Sequence, residues 1–321
     1  MALPVNTFTT FDAIGNREDL SDTIYDISPM ETPFVSGISR DSADSTKHEW
    51  QTDALAAATT QAFLEGDDAT ADAAAATTRL FNDCQIFRKV ISVSGTQRAV
   101  RSAGRADEFE YQLAKRGREL KRNIEKTALG VQARTTGTNT ATARTMSGVA
   151  TWLSANKHHF AATSTTPGAG TAIVQGNAIT VTTATQLEDP VSTVIASSWN
   201  NGGDPSIIMT GSGGKRKLSK LTGIATLFRD VPASAQGQIV GAADAYVSDF
   251  GNHTIVPNRF MPSTEIYFLD MEFWALSELR GMSTHALAKT GDSDRAMLVT
   301  ELTLKAKAPD ASGKIADMVF V

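Results

Sequence analysis

One cysteine, Cys84, stands in 321 residues. That excludes a disulfide framework and a thiolate zinc site. Aromatic residues are scarce at 7%, and charged residues make up only 20%. No apolar run approaches the ~20 residues of a membrane helix. The opening Met1-Ala2-Leu3-Pro4-Val5-Asn6-Thr7-Phe8 has neither the basic stretch nor the apolar segment of a secretory leader. These absences predict a soluble chain folded in a reducing cytoplasm. Positive charge is not in excess either. Thirty Lys and Arg face 35 Asp and Glu, a net of −5, whereas dedicated DNA-reading domains are usually basic. What is present is 41% hydrophobic residues, enough for a real core. At roughly 100–200 residues per domain, the length fits two domains, or one large domain with insertions.

Catalytic signatures are also missing. Gly211-Ser212-Gly213-Gly214-Lys215 invites a phosphate-loop reading. The first Walker glycine would fall at Met209, and the magnesium-holding Ser or Thr after the lysine is Arg216. Arg216 also occupies the third glycine of the dinucleotide fingerprint. A flexible turn at a helix start is the better reading, with a nonspecific anion site as the lesser one. His158 and His159 are adjacent and point apart on a helix, so they lack the one-face spacing of metal ligands. His48, His253 and His285 sit in no motif. Asp67, Asp68 and Asp72 lack the glycine and terminal glutamate of a calcium loop and read as a solvated acidic turn. Cys84 has no basic or histidine neighbour and reads as a small hydrophobe. No serine elbow, paired-carboxylate motif or zinc motif is found, so an enzyme has no positive support. No catalytic, cofactor or metal residue is assigned.

Along the chain, residues 1–46 read as an apolar arm. Leu20, Ile24 and Ile27 have helical spacing, and Ser28-Pro29 stops that helix. Residues 47–97 read as a long two-stranded excursion. Its arms are His48–Asp53 and Gln85–Ser94, and its tip is acidic and rich in small residues. Such a hairpin is marginal alone and requires a partner surface. Residues 105–133 predict the clearest helix. Phe109, Leu113, Leu120, Ile124, Ala128 and Val131 form its apolar stripe, and Lys115, Arg116, Arg118, Lys121 and Arg122 its basic face. Within an insertion rich in Thr, Ala and Gly, Met146–Phe160 predicts a helix and Asn177–Thr182 a strand. A further helix starts at the Asp189-Pro190 pair and ends at Gly202-Gly203. A strand over Ser206–Thr210, a basic helix from Lys215, and strands near residues 245–247 and 254–256 complete that unit. Beyond it come a strand at Glu265–Leu269, a short helix at Met271–Leu279, and strands at 298–304 and 315–320.

Charge is segregated. Residues 49–87 hold seven acids (Glu49, Asp53, Glu65, Asp67, Asp68, Asp72, Asp83) and one base (Arg79), net −6. Residues 88–134 hold twelve bases and five acids, net +7. An acidic hairpin cannot easily fold back over its own adjoining helix, so the pattern points to contact between copies. Ordinary solvated faces remain the plain alternative.

The order of apolar arm, long hairpin, long helix, insertion and α/β unit resembles the Hong Kong 97-type coat fold of tailed phages. More specifically, the chain resembles the podophage major head protein family typified by phage SU-ten. The resemblance is carried by Arg17-Glu18-Asp19-Leu20-Ser21-Asp22, Ile27-Ser28-Pro29-Met30-Glu31-Thr32-Pro33-Phe34 and Arg144-Thr145-Met146-Ser147-Gly148 with Trp152-Leu153. Trp199-Asn200-Asn201-Gly202-Gly203, Ser248-Asp249-Phe250-Gly251, Asn258-Arg259 and Leu287-Ala288-Lys289-Thr290-Gly291-Asp292-Ser293 extend it over most of the chain. The resemblance implies an α+β coat fold with an N-terminal arm (1–46), an extended β-hairpin loop (47–97) and a peripheral domain with a spine helix and insertion (98–183). An axial domain (184–256) and returning peripheral strands (257–321) complete it. It also implies a self-assembling icosahedral head around double-stranded DNA, not an enzyme. Its expected location is the virion, after assembly in the host cytoplasm. Expected partners are copies of the chain, with scaffolding, portal and decoration proteins besides; packaged DNA lies nearby without specific contact, and no membrane or cofactor is involved. The intersubunit candidates are Glu65, Asp67, Asp68 and Asp72 against Arg118, Lys121 and Arg122. The fold's founding member is crosslinked through a loop lysine; residues 51–88 here contain none, so no such crosslink is expected. Two alternatives stand beside this reading: an encapsulin-like compartment and a soluble α/β nucleotide-binding enzyme.

Overall fold

The computed structural model describes residues 30–68, 71–100, 107–138, 140–221, 244–289 and 291–320. The helix expected from Leu20, Ile24 and Ile27 lies outside them. The described chain begins with helix α1 (Pro33–Gly37) and strand β1 (Ser39–Ser42). Next come β2 (Lys47–Thr52), β3 (Thr78–Asp83), β4 (Gln85–Ser94), α2 (Gly95–Ala99) and the long helix α3 (Glu108–Ala128). A 3-10 turn at Val149–Thr151 precedes β5 (Asn156–His159) and β6 (Ile179–Val181). Then follow α4 (Thr185–Asn200), β7 (Ile207–Thr210), α5 (Ser212–Leu218), β8 (Ala245–Ser248) and β9 (Gly251–Pro257). The last strands are β10 (Ile266–Leu269), β11 (Trp274–Ala286), β12 (Ser293–Ala306), β13 (Gly313–Ala316) and β14 (Met318–Phe320).

Two sheets organise the molecule, one ordered β1-β11-β12-β4 and the other β5-β13-β10-β7-β9-β8. The second sheet is shared by two cores. Successive strand residues point to opposite faces. Met209, Tyr267 and Leu269 therefore face one core, with α3, β4, β11 and β12. Ile208, Ile266, Phe268 and Ile315 face the other, with Leu187, Val191, Val194 and Ile195 of α4.

The long helix carries the expected stripe from Phe109 to Ala128, whereas Val131, expected on the same stripe, lies beyond the helix end. Leu120, Ile124 and Ala128 are buried, and Phe109 and Leu113 pack against the same core half-buried. The Asp107 carboxylate accepts from the Phe109 N–H at 2.9 Å, and Glu108 and Glu110 stand in the first turn. There they favour the positive end of the helix dipole.

Several expectations are corrected. The partner of β2 is β3, from Lys47↔Asp83 to Thr52↔Thr78. Residues 85–94 instead pair antiparallel with β12, because Phe87, Ile91 and Val93 alternate into the core. The helix expected at Met146–Phe160 is a single 3-10 turn and then β5. Val149 through Leu153 are buried on every side, so no solvent face exists to support an amphipathic helix. Asn156 is seized by four polar partners: its Nδ2 donates to Asp310 O and Ser312 O, and its Oδ1 accepts from Ser197 Oγ and Asn201 Nδ2. His158 and His159 consequently lie on a strand, and His159 Nδ1 meets Asp317 Oδ2 at 2.7 Å.

Helix α4 begins four residues before Asp189, and Pro190 lies inside it. Gln186 Oε1 reaches back to the N–H groups of Thr182 and Thr183, at 2.9 and 3.2 Å, and supplies the start that Asp189 was expected to give. Residues 271–279 form a 3-10 turn and the first half of β11. Trp274 through Ser277 are buried on both faces, so the alternation that marks a strand is erased. Gly213 and Gly214 belong to α5 rather than to a loop before it. A Cβ on Gly214 would overlap the Thr210 hydroxyl, and one on Gly213 would lie 2.8 Å from Phe320 Cβ. These glycines permit close packing.

Candidate intersubunit surfaces

The stem β2–β3 is fixed firmly to the body. Trp50 is buried, donates from Nε1 to Ala306 O at 2.8 Å, and lies 5.5 Å from the Trp152 ring centre. Asn82 Nδ2 donates to Leu304 O at 2.7 Å, and its Oδ1 accepts from Ser147 N at 3.0 Å. Beyond the stem the character changes. Apart from one turn, the described residues of 53–77 have no regular structure and are exposed. The Asp67 N–H donates to Leu64 O at 3.1 Å, and Gly66 has φ +86°. This is a type II turn with glycine at the position that demands positive φ.

Glu65, Asp67 and Asp68 sit on or beside this turn, and Asp72 lies farther along; all four are exposed. Among the described residues, none of these carboxylates pairs with a cation of its own chain. Three large apolar side chains share the excursion: Leu55 is 99% exposed, Phe63 77% and Leu64 84%. Composition and charge revealed the acids. The apolar three were missed, although they are the only large aliphatic or aromatic residues in the sequence between Trp50 and Leu80.

The basic candidates lie on α3. Lys121 and Arg118 are exposed, and Arg118 Nη1 approaches Met30 Sδ at 3.4 Å. The Arg122 guanidinium lies 5.5 Å from the Phe260 ring centre. Neighbouring Arg116 is held by Glu119 at 2.7 Å, with Lys89 on the same carboxylate at 3.3 Å. The structure thus groups the acids on one excursion and the bases on one helix, and no described ion pair joins the groups within the chain.

A buried carboxylate on α3 was not foreseen. Helix α1 has Pro33 in its first turn and no side-chain cap at Thr32, which leaves the N–H groups of Phe34 and Val35 without helical partners. Glu125 accepts both, at 2.9 Å on Oε1 and 2.8 Å on Oε2. Oε1 also accepts from Asn258 Nδ2 at 2.7 Å. Burial pushes the Glu125 carboxyl above its usual range, while the three donors pull against that shift. Glu125 therefore ties together the stretches around Pro33-Phe34 and Asn258-Arg259. Cys84 is buried, and desolvation pushes its thiol up to about 11, as its reading as a small hydrophobe requires. Among the described residues no cluster of His, Cys, Asp and Glu could hold a metal ion, and no helix is long and apolar enough to cross a membrane.

The body is firmly packed α+β, and the excursion leaves apolar side chains in solvent. Comparison with solved structures gives the fold. The fold is similar to the cyanophage A-1(L) capsid asymmetric unit, with TM-score 0.65, 12% identity and coverage of 97% of this chain and 98% of that one. It is also similar to the SrpI encapsulin of Synechococcus elongatus, with TM-score 0.52, 10% identity and coverage of 94% and 92%. The family model of the SU10 major capsid protein matches residues 4–319, and the chain belongs to that family. The major capsid protein of Escherichia phage Phieco32 is 29% identical over 336 residues, covering 95% of each chain. The protein is thus a major capsid protein of a phage head, with the Hong Kong 97-type fold.

Proposed function

We propose that the subunit closes the head around double-stranded DNA by laying the acidic excursion on a neighbouring copy. Glu65, Asp67, Asp68 and Asp72 would face the neighbour's Arg118, Lys121 and Arg122. The observation that carries this reading is the segregation of unpaired acids and a basic helix face on one chain. Repetition over a closed shell multiplies pair terms of only ~0–1 kcal/mol each. The arm at 1–46 reaches an adjacent subunit, and the unit at 184–256 meets its copies around capsomer centres. A separate scaffold assists assembly in the host cytoplasm, portal and decoration proteins complete the particle, and no catalysis is required of the chain.

The charge-reversed variant D67K/D68K tests this. It folds as wild type by circular dichroism, because both residues are solvated, yet yields few closed shells by electron microscopy. A wild-type particle yield would refute the pairing. Shells carrying a protein cargo instead of DNA would favour the encapsulin-like alternative, whose fold the SrpI likeness brings close.

A further inference from the structure

Four cations, Lys215, Arg216, Lys217 and Lys220, lie on α5 and just beyond it. Lys215 is paired with Asp244 at 3.0 Å. Lys217 is 8% exposed, and its Nζ donates to Thr182 O at 2.8 Å. Among the described residues no carboxylate neutralises it, and a buried charge without a counter-charge is costly. Arg216 and Lys220 are exposed beside it, again without a described carboxylate partner. Gly213, Arg216, Lys217, Lys220 and Phe320 line one small concavity of about 30 Å³, with space for a single oxygen-sized group. Gly213 sits against Phe320 where no larger residue would fit without displacing the ring, and this forms one wall.

We infer that this concavity takes a non-bridging oxygen of a phosphodiester, so that α5 is a sequence-independent contact for the backbone of packaged DNA. The inference rests on the shell reading for the presence of DNA. Three cationic residues line a space of that size, and one of them is buried and lacks a counter-charge that a phosphate would supply. The glycines do not cradle the anion with backbone N–H groups; side chains supply the charge. The contact is local, so it is compatible with the acidic balance of the whole chain.

The test compares the unassembled full-length wild type with R216A/K220A, which leaves Lys217 on Thr182. Binding of a fluorescent duplex of ~20 base pairs is followed by anisotropy across a range of salt. Each phosphate contact adds about 0.9 to the slope of log affinity against log salt. Removing two of the three cations around that one phosphate lowers the slope by up to about 0.9. Between about 50 and 200 mM salt, wild-type affinity then falls up to about 3.5-fold more than that of the variant. A control variant, K115A/K126A, removes two exposed cations of α3 and should leave the slope nearer wild type. Equal slopes in wild type and R216A/K220A would overturn the assignment, as would an equal loss in the control. Inorganic phosphate at millimolar level and constant ionic strength should not displace the duplex; full displacement would reassign the site to the free ion and overturn the DNA contact. Electron microscopy separates the two readings. Failure of wild type to form shells when expressed together with the other head proteins of its phage refutes the shell reading, whereas shells with an unchanged slope in R216A/K220A refute only this site.

Discussion

Replacing Glu125 tests whether the start of α1 is held by the long helix. Oε1 accepts from Phe34 N and Asn258 Nδ2, and Oε2 accepts from Val35 N alone. In E125Q the amide oxygen can keep the first pair, but its NH₂ then faces the Val35 N–H, donor against donor. One hydrogen bond to a charged group is lost, worth about 1.5–3 kcal/mol, and a buried donor is orphaned at about 1–3 kcal/mol. Partial relaxation brings the expected loss to about 2–4 kcal/mol. E125A orphans all three donors and should cost about 3–6 kcal/mol by the same reasoning. Urea unfolding of the unassembled full-length subunit gives the free energies. Hydrogen exchange gives the location: amides of residues 34–38 should exchange faster, while those in the middle of α3 stay protected. A loss below about 1 kcal/mol in E125Q, with exchange at 34–38 unchanged, would refute the clamp.

Three further outcomes are expected. Tyr267 has one hydroxyl hydrogen but lies against both Glu265 Oε2 and Leu129 O, so a neutral Glu265 that donates to Tyr267 satisfies both contacts. Burial raises the Glu265 carboxyl, so its contribution is fully present below the ordinary carboxylate pKa and is lost as pH rises through the raised value. Stability of the wild type should fall with rising pH relative to that of E265Q, and parallel pH profiles in urea would refute this. Native subunit at pH 8 should not react with a thiol-specific disulfide reagent until unfolded, because Cys84 is buried and its thiol is raised to about 11. F63S/L64S should leave urea stability within about 0.5 kcal/mol of wild type, since both residues are exposed, yet reduce shell yield more than D67K/D68K does; an equal or smaller effect would refute the apolar contribution.

Long, one-sided patterns were legible in the sequence. Helix α3 follows its stripe because one face meets a core and the other meets water. Strand β4 alternates for the same reason. Segments surrounded by protein lost that signal. Trp274–Ser277 and Val149–Leu153 are apolar in blocks, and only their long-range partners decide whether they form strand, helix or turn. The acidic and basic candidates were found from charge alone. The Glu125 clamp was not, because its partners lie 91 and 133 residues away and a lone glutamate on a charged helix resembles a solvated one.

The balance of forces on the excursion sharpens the charge argument. Complete burial of a Leu or Phe side chain contributes about 1.5–3 kcal/mol. Leu55, Phe63 and Leu64 are 77–99% exposed and hold about 5–9 kcal/mol that the isolated subunit leaves unrealised. Four solvated carboxylates, at ~0–1 kcal/mol per pair, cannot match that. On the proposed contact, docking strength would therefore come chiefly from the apolar three, while the acids would select the basic face and set the register. Gly66 holds Leu64 and Asp67 on one tight turn, so on the proposed contact the apolar anchor and the charge would reach the neighbour together. A loop that carried only the charge would be steered to the helix without being held there.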